Sequence, residues 1–251
     1  MTFPLFKKLP ALAGLSILIC ALSFSCSHST LPLEVPSPAP DMPVELSGPK
    51  NERFAALLEQ AERVGNCAVL VIGDSIVEGM YKKYHDADIF AAGVQGAGVN
   101  DWLPRAPLLL ELLKPERIIV ALGVNDSRIR PDKLPEFFQS YAELCRILSA
   151  DTPKLAVSTI LPVRRGKGKR VQFGNRVNPA MIRNMNAGIK RIAAEGGYAV
   201  IDSHQKLADG SGMLPADFTF DGVHLSKSGY ARWESLLFAR SPLLKADGRR
   251  P

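Results

Sequence analysis

The chain has 251 residues, of which 46% are hydrophobic and 22% charged, and this is ordinary for one substantial globular domain with a leader. The net charge of +6 is modest and does not indicate nucleic-acid binding. Neither zinc-finger spacing nor an aromatic-rich RNA-binding signature is present, and no internal repeat is visible.

Residues 1–26 have the organisation of a secretory leader. Two lysines precede a run from residue 9 to residue 24 that is nearly all apolar or small. This run is somewhat shorter than the roughly 20 apolar residues that span a bilayer. It ends at Ser25-Cys26, which resemble the last two positions of a bacterial lipoprotein cleavage site, although the two preceding residues depart from it. We therefore expect lipidation at Cys26, with plain secretion or an uncleaved anchor as alternatives.

The folded part of the chain follows a tether. Residues 27–50 are rich in proline and serine and show little periodic apolar pattern, which favours an extended spacer. Residues 51–245 are predicted to form one domain, and the polar, basic residues 246–251 a frayed tail. Together with the leader, this organisation predicts a lipid-anchored protein of the bacterial cell envelope, periplasmic or extracellular.

Short apolar runs alternate with amphipathic segments along the domain. Five strands are predicted, at residues 67–72, 89–92, 118–122, 155–161 and 198–201. Helices are predicted at residues 51–64, 102–113, 134–148, 181–194 and 226–238. Pro104 and Pro107 should break or kink the second of these helices near its start. The alternation indicates an α/β fold of three layers, a five-stranded parallel sheet with helices on both faces.

Ser75 stands directly after the first predicted strand, where a helical pattern begins that runs to Tyr84. A serine in this place lies at the carboxyl edge of the sheet, where ligands bind in open α/β folds, and near the positive end of a helix dipole. Gly93, Gly96 and Asn125 also follow strands, so they should meet Ser75 at that edge. The alternative explanation of Ser75 is an ordinary helix N-cap.

Four motifs in this order resemble those of the SGNH, or GDSL, hydrolase family. They are Gly73-Asp74-Ser75, Gly93-Val94-Gln95-Gly96, Gly123-Val124-Asn125-Asp126 and Asp221-Gly222-Val223-His224. The resemblance covers roughly residues 68–237, nearly all of the predicted domain. It implies a flavodoxin-like arrangement of the sheet and a serine esterase activity.

A nucleophilic Ser75 needs a base within hydrogen-bond reach, because a serine hydroxyl is a poor nucleophile at its own pKa. His224 is the candidate, since it alone of the four histidines follows a carboxylate by three residues in a turn-rich segment. Asp221 can then fold back to the other ring nitrogen and hold the tautomer. The alternative is a loop histidine bonded to any nearby acceptor. We predict Ser75, His224 and Asp221 as the catalytic residues.

The resemblance also implies three donors that stabilise an oxyanion. They are the serine backbone N–H, a glycine N–H and an asparagine amide, which match Ser75, Gly96 and Asn125. Gly93 is the second choice for the glycine. Turn geometry is the alternative explanation for both glycines, and a capping or turn role is the alternative for Asn125.

The remaining polar groups near these motifs are given supporting roles. Asp74 and Asp126 are expected to brace their loops.

No metal and no cofactor is expected, because no His-Glu-x-x-His run or paired cysteine spacing is present. Cys67 and Cys145 either pair in an oxidising compartment or remain buried thiols. The basic stretch at residues 164–170 is either a solvated loop or a contact for an anionic substrate or surface.

These observations predict a secreted, membrane-tethered serine esterase that acts on a small-molecule or glycan acyl ester, with no nucleic-acid partner. An envelope location and a small domain favour removal of acetyl groups from a glycan, with a lysophospholipase or thioesterase next. Residues 162–179 and 204–220 offer no continuous apolar wall for a long acyl chain. Acyl transfer to a sugar would use the same site. A non-catalytic envelope binding protein is the alternative from another class, and the sequence leaves the oligomeric state open.

Overall fold

The computed structural model describes residues 48–80, 83–150 and 154–239. Within these residues five parallel strands form one sheet in the order β2-β1-β3-β4-β5. The strands are β1 (Val69–Gly73), β2 (Ile89–Gly93), β3 (Arg117–Ala121), β4 (Leu155–Ser158) and β5 (Ala199–Ile201). The predicted five-stranded parallel α/β fold is thus confirmed. The predicted leader with Cys26, most of the tether and the tail lie outside the described residues.

Eight α-helices are found in the described ranges, and five short 3-10 helices lie in the connections. The α-helices are α1 (Pro49–Val64), α2 (Ser75–Glu78), α3 (Val99–Trp102), α4 (Ala106–Leu113), α5 (Leu134–Ser149), α6 (Pro179–Gly196), α7 (Ser203–Leu207) and α8 (Lys227–Leu237). The apolar stripe that predicted α5 is buried, as Phe137, Tyr141, Leu144 and Leu148 show. Among these helices none is long and apolar enough to cross a membrane.

The helices cover the sheet in two groups. Helices α1, α4, α5 and α6 contact one another in a row. Helix α2 contacts α8, whose Tyr230 hydroxyl donates to the Ile76 carbonyl at 2.8 Å, and α7 packs on α8. Because crossovers between parallel strands are right-handed, connections that run toward opposite ends of the sheet lie on opposite faces. The result is a helix–sheet–helix sandwich in three layers.

The strand order determines where a ligand would bind. Strand β1 lies between β2 and β3, and every residue of β1 and of β2 is buried. The chain turns to one side of β1 to form β2 and then crosses to the other side to form β3. In open sheets of this order, ligands bind outside the carboxyl ends of the strands where the direction reverses. Ser75 follows β1 and Asn125 follows β3, so both lie beside this point.

The fourth strand ends three residues before the predicted end at residue 161. Strand β4 stops at Ser158. The Thr159 N–H still donates to the Ile201 carbonyl of β5 at 3.0 Å, and the backbone of Ile160 has a different partner. Asn186 of α6 accepts from the Ile160 N–H at 2.8 Å and donates to the Ile160 carbonyl at 3.0 Å. A buried side-chain amide therefore replaces a neighbouring strand, and the chain leaves the sheet toward the site.

Two predicted helices also differ in extent from the structure. Helix α2 ends at Glu78 and does not continue as a regular helix to Tyr84. A Cβ at Gly79 would lie 1.9 Å from the Tyr230 hydroxyl, so the chain turns where α8 packs against it. The predicted helix at residues 102–113 is divided into α3 and α4, and the break falls at Pro104, as expected.

Candidate active site

Ser75 is the first residue of α2, immediately after the turn that ends β1. The cap of this helix is Asp74, whose carboxylate accepts from the Ile76 N–H at 2.9 Å. The alternative in which Ser75 itself caps the helix is therefore wrong. The turn is tight, because a Cβ at Gly73 would lie 2.1 Å from the Val77 side chain. Ser75 is half-buried, with its hydroxyl at the edge of the sheet.

Three side chains form a hydrogen-bonded chain across this edge. Ser75 Oγ lies 2.9 Å from His224 Nε2, although the two residues are 149 positions apart. His224 Nδ1 lies 2.6 Å from Asp221 Oδ2. If Nδ1–H donates to the carboxylate, Nε2 is left as the acceptor for the serine hydroxyl. This arrangement can make the serine oxygen nucleophilic and can store its proton on the imidazole.

The loop that carries Asp221 and His224 is held by its own side chains. Asp221 is buried, and its Oδ1 accepts from the backbone N–H groups of Val223 at 2.9 Å and His224 at 2.8 Å. Thr219 Oγ1 accepts from the Gly222 N–H at 2.9 Å and donates to the His224 carbonyl at 2.7 Å. One carboxylate oxygen is thus committed to the backbone and the other to the imidazole, which fixes the orientation of the ring.

Two aromatic rings flank His224. Phe220 stacks on the imidazole, with ring centroids 5.8 Å apart and planes 13° apart. Phe173 meets it edge-on at 5.9 Å and 80°. Phe220 is 59% exposed, so its ring also contributes to the surface around the site. Sequence reasoning missed both rings and also Thr219. The placement of Thr219 two residues before Asp221 was the one local signal.

The loops after β2 and β3 meet beside Ser75. Asn125 is half-buried, and its Nδ2 donates to the Ala97 carbonyl at 3.0 Å. A primary amide carries two N–H donors. Among the described hydrogen bonds only one of the two Asn125 donors is used, so the other is available to a further acceptor. Gly96 is exposed and has φ +73°, a left-handed conformation that favours glycine. Ser75 at the start of α2 and Gly96 and Asn125 on their loops thus lie at one edge, after β1, β2 and β3.

The packing of α2 against β2 explains why residue 93 is a glycine. It is the last residue of β2 and pairs with Gly73 of β1. A Cβ at Gly93 would lie 1.9 Å from the Glu78 backbone nitrogen, because α2 lies directly on the end of the strand. The position therefore requires glycine for close approach, whether or not its N–H has a further role.

Asp126 links the loops on which Gly98 and Asn125 lie. Its Oδ1 accepts from the Val99 N–H at 3.2 Å. A Cβ at Gly98 would lie 2.6 Å from the same oxygen, so the two loops are in close contact. Burial raises the pKa of Asp126. The expected bracing role of this aspartate agrees with these contacts.

The environment of Asp74 is unusual for a carboxylate. The residue is 2% exposed. Burial, with the negative charge of Asp126, raises the pKa of Asp74 to about 7 against the opposing effects of the Ile76 N–H and of His224. A small cavity of about 20 Å³ borders it, lined also by Ser158, Thr159 and Trp233.

Other candidate ligands lie away from this chain of side chains. In the described part of the chain, no three His, Cys, Asp or Glu residues are close enough to hold a metal ion. His204 Nδ1 is hydrogen-bonded to the Ile160 carbonyl at 3.0 Å. Cys67 and Cys145 are buried free thiols, and burial raises the pKa of each to about 12. Of the two alternatives that the sequence left open, the structure has the free thiols.

Comparison with known proteins identifies the fold and the family. The model of the GDSL-like lipase/acylhydrolase family matches residues 71–232, whereas no curated protein matches the chain significantly. A candidate platelet activating factor from Streptococcus pneumonia is similar in structure, with a TM-score of 0.65, 21% identity, and coverage of 76% of this chain and 91% of the other.

Two further structures extend this comparison. A GDSL-like lipase from Bacteroides thetaiotaomicron has a TM-score of 0.61 and 20% identity, with 75% of this chain and 95% of the other covered. An acetylxylan esterase from Geobacillus stearothermophilus has a TM-score of 0.52 and 17% identity, with coverage of 70% and 94%. At these identities the structures establish the fold, and the family match covers most of the domain. The chain therefore belongs to the GDSL-like lipase/acylhydrolase family and is a hydrolase of ester bonds.

Proposed function

We propose that Ser75, His224 and Asp221 form the catalytic triad of a serine esterase that works through an acyl-enzyme intermediate. The observation that carries this proposal is the hydrogen-bonded chain from Ser75 Oγ through both ring nitrogens of His224 to the buried Asp221. His224 takes the serine proton as Oγ attacks the ester carbonyl and then gives it to the leaving alcohol. Water, deprotonated by the same imidazole, releases the acid and restores the serine.

The negative charge that develops on the carbonyl oxygen requires donors already in place. We assign this role to the Ser75 N–H, the Gly96 N–H and the Asn125 amide. The support is that the three residues follow three adjacent strands, and that Asn125 is fixed by its bond to Ala97. One donor of this kind is typically worth roughly 10²–10³ in rate, so the three together would carry much of the catalysis.

We infer that the acyl group is short, with acetyl the best candidate, and that the alcohol belongs to a cell-envelope carbohydrate. The support is that, of the exposed large hydrophobic side chains in the described ranges, only Phe220 contacts His224. Each buried methylene of a longer chain would contribute only about 0.8 kcal/mol. The fold similarity to an acetylxylan esterase agrees with this substrate class.

A series of p-nitrophenyl esters from acetate to octanoate tests the acyl preference. We expect kcat/KM to be highest for acetate and to fall as the chain lengthens. A kcat/KM that rises with chain length would instead assign the enzyme as a lysophospholipase or thioesterase. Analysis of the products with a sugar acceptor present separates hydrolysis, which releases acetate, from acyl transfer, which yields an acetylated sugar.

The location in the cell envelope is a separate proposal that rests on residues 1–26. We expect Cys26→Ser to release the protein from the membrane fraction and to abolish incorporation of labelled fatty acid, because that thiol is the only proposed attachment point. Cys20→Ser is the matched control, since it removes a leader cysteine that lies within the apolar run. A mature N-terminus beyond Cys26 in mass spectrometry would contradict lipidation and indicate plain secretion.

A further inference from the structure

One segment holds the whole excess of positive charge in this chain. Residues 164–176, here called the basic loop, contain six of the 31 basic residues and none of the 25 acidic ones. The rest of the chain, with 25 residues of each sign, is formally neutral. The net charge of +6 is therefore a local property of this loop.

Both ends of the basic loop are attached to the turn that carries Asp221. At one end the Arg164 N–H donates to the Gly222 carbonyl at 2.8 Å. At the other end the N–H groups of Phe173 and Gly174 donate to the Asp221 carbonyl at 3.1 and 3.3 Å. The loop therefore leaves and rejoins the protein at the same turn, beside His224.

The loop is also organised internally. The Asn175 side chain exchanges two hydrogen bonds with the backbone of Gly166, at 3.1 and 2.9 Å. Val171 is buried and lies at the end of a short 3-10 helix, Lys169–Val171. These contacts limit the conformations that the loop can adopt. Its cations are consequently held over one part of the surface.

Five of the six cations appear in none of the ion pairs found among the described residues. Arg164 is paired with Asp209 at 3.5 Å, so its role is structural. The five exposed cations are Arg165, Lys167, Lys169, Arg170 and Arg176. Like charges on one short loop repel one another, and an anion that binds among them relieves the repulsion.

Arg176 connects this charge to the reacting groups. Its guanidinium lies over the Phe173 ring, 5.1 Å from the centroid. Phe173 also contacts the His224 imidazole, with ring centroids 5.9 Å apart. A guanidinium and the proposed general base thus contact the same aromatic ring. A planar guanidinium can bind a carboxylate or a phosphate through two parallel hydrogen bonds.

We propose that the esterase acts on anionic esters, whose carboxylate or phosphate binds to Arg176 and the basic loop while the ester carbonyl meets Ser75. This inference rests on the proposed function, because it assumes that Ser75 is the nucleophile. The inference adds the class of substrate that the proposed active site takes. The anion raises the local concentration of substrate and orients the ester, and it takes no part in bond cleavage.

Three acetyl esters of similar leaving group test the charge preference. They are methyl para-acetoxybenzoate, which is neutral, para-acetoxybenzoate, which carries a carboxylate, and para-acetoxyphenyl phosphate. The measured quantity is the ratio of kcat/KM for each anionic ester to that for the neutral one. We expect a ratio of about ten in the wild type at low ionic strength, falling toward one as salt screens the exposed cations.

Charge-removing variants locate the effect. Arg176→Gln should lower the ratio about fivefold, and joint replacement of Arg165, Lys167, Lys169 and Arg170 by Gln should lower it by a similar factor. Arg191→Gln is the matched control, because Arg191 is also an exposed guanidinium over a phenylalanine ring, 5.6 Å from the Phe138 centroid. If Arg176→Gln does not fold, the joint variant still decides the matter. A larger response of the phosphate ester than of the carboxylate ester identifies the preferred anion.

The outcomes separate this inference from the proposed function. Ratios near one in the wild type, or equal losses in Arg191→Gln and Arg176→Gln, overturn the inference and leave a solvated basic loop. In that case loss of neutral-ester turnover in Ser75→Ala still supports the proposed function. Turnover that survives Ser75→Ala with both neutral and anionic esters overturns the proposed function, and the inference with it.

Discussion

At the scale of single residues, the fold strongly changes the ionisation of the Asp74 carboxyl group. It caps α2 next to the proposed nucleophile, it is almost fully buried, and its pKa is raised to about 7 chiefly by that burial. A considerable fraction of the protein therefore holds a proton on Asp74 at neutral pH. The unfolded chain releases this proton near the ordinary value of 3.8.

This difference predicts a pH dependence of stability. Between about pH 4 and pH 7 the folded state binds more protons at Asp74 than the unfolded state, so the free energy of unfolding falls as pH rises. Asp74→Asn keeps an acceptor for the Ile76 N–H and does not titrate. The free energy of unfolding of the variant, relative to that of the wild type, should therefore rise by about 2–4 kcal/mol between about pH 4.5 and about pH 8. This follows from about 1.4 kcal/mol for each unit of pKa shift.

Urea unfolding of both proteins at the two pH values measures this gain. Asp217→Asn serves as the control for an aspartate-to-asparagine change, because Asp217 is an exposed aspartate. A difference between Asp74→Asn and the wild type that does not change with pH would show that Asp74 is ionised throughout.

The residues of the site differed in how far the sequence could reveal them. Asp221 and His224 are three positions apart in one turn, so their contact was a local property. Ser75 and His224 are distant in sequence, and their contact followed only from placing both at one sheet edge. Phe173 and Phe220 contact His224 through the packing of separate loops. Local sequence patterns do not predict contacts between side chains of separate loops.

At the scale of elements, the position of Ser75 depends on how closely α2 lies against β2. Gly93→Ala would place a Cβ 1.9 Å from the Glu78 backbone nitrogen, and backbone at this distance must move. We expect a loss of about 1–3 kcal/mol in the free energy of unfolding. Since a displacement of about 1 Å can cost 10²-fold in rate, kcat should also fall markedly.

Denaturant unfolding together with esterase kinetics checks this prediction. Gly210→Ala is the matched control, because no atom lies within 4 Å of its Cβ position and its backbone is not left-handed. The control should change neither stability nor kcat by more than a small factor. If Gly93→Ala is as stable and as active as the wild type, α2 does not depend on this close approach.

Element boundaries were predictable where local pattern determines them. The helix at residues 134–148 and the central strands were found because their apolar stripes are buried as the periodicity indicates. Strand β4 and helix α2 ended early for reasons that lie elsewhere in the chain. Asn186 captures the backbone of Ile160, and Tyr230 occupies the space beside Gly79. Such tertiary contacts override local propensity.

At the scale of the whole molecule, the parallel sheet brings distant motifs to one edge. The strand order places the ends of β1, β2 and β3 side by side, and the loop after β5 returns His224 to Ser75. The alternation of apolar runs was enough to predict a parallel sheet with helices on both faces, whereas the flavodoxin-like arrangement was implied by the family resemblance. The concentration of the net charge beside the site could be counted in the sequence, but its position required the contacts of the basic loop with Asp221 and Gly222.

Turnover of p-nitrophenyl acetate by the Ser75→Ala variant is the most direct test of the proposed mechanism. The substitution deletes one half-buried hydroxyl at a helix start, so the fold should persist, as circular dichroism would verify. Ser211→Ala, in an exposed turn, is the control and should retain wild-type activity. We predict a loss of at least about 10³-fold in kcat for Ser75→Ala, since no acyl-enzyme can form. A folded Ser75→Ala protein with kcat within about threefold of the wild type would contradict the account.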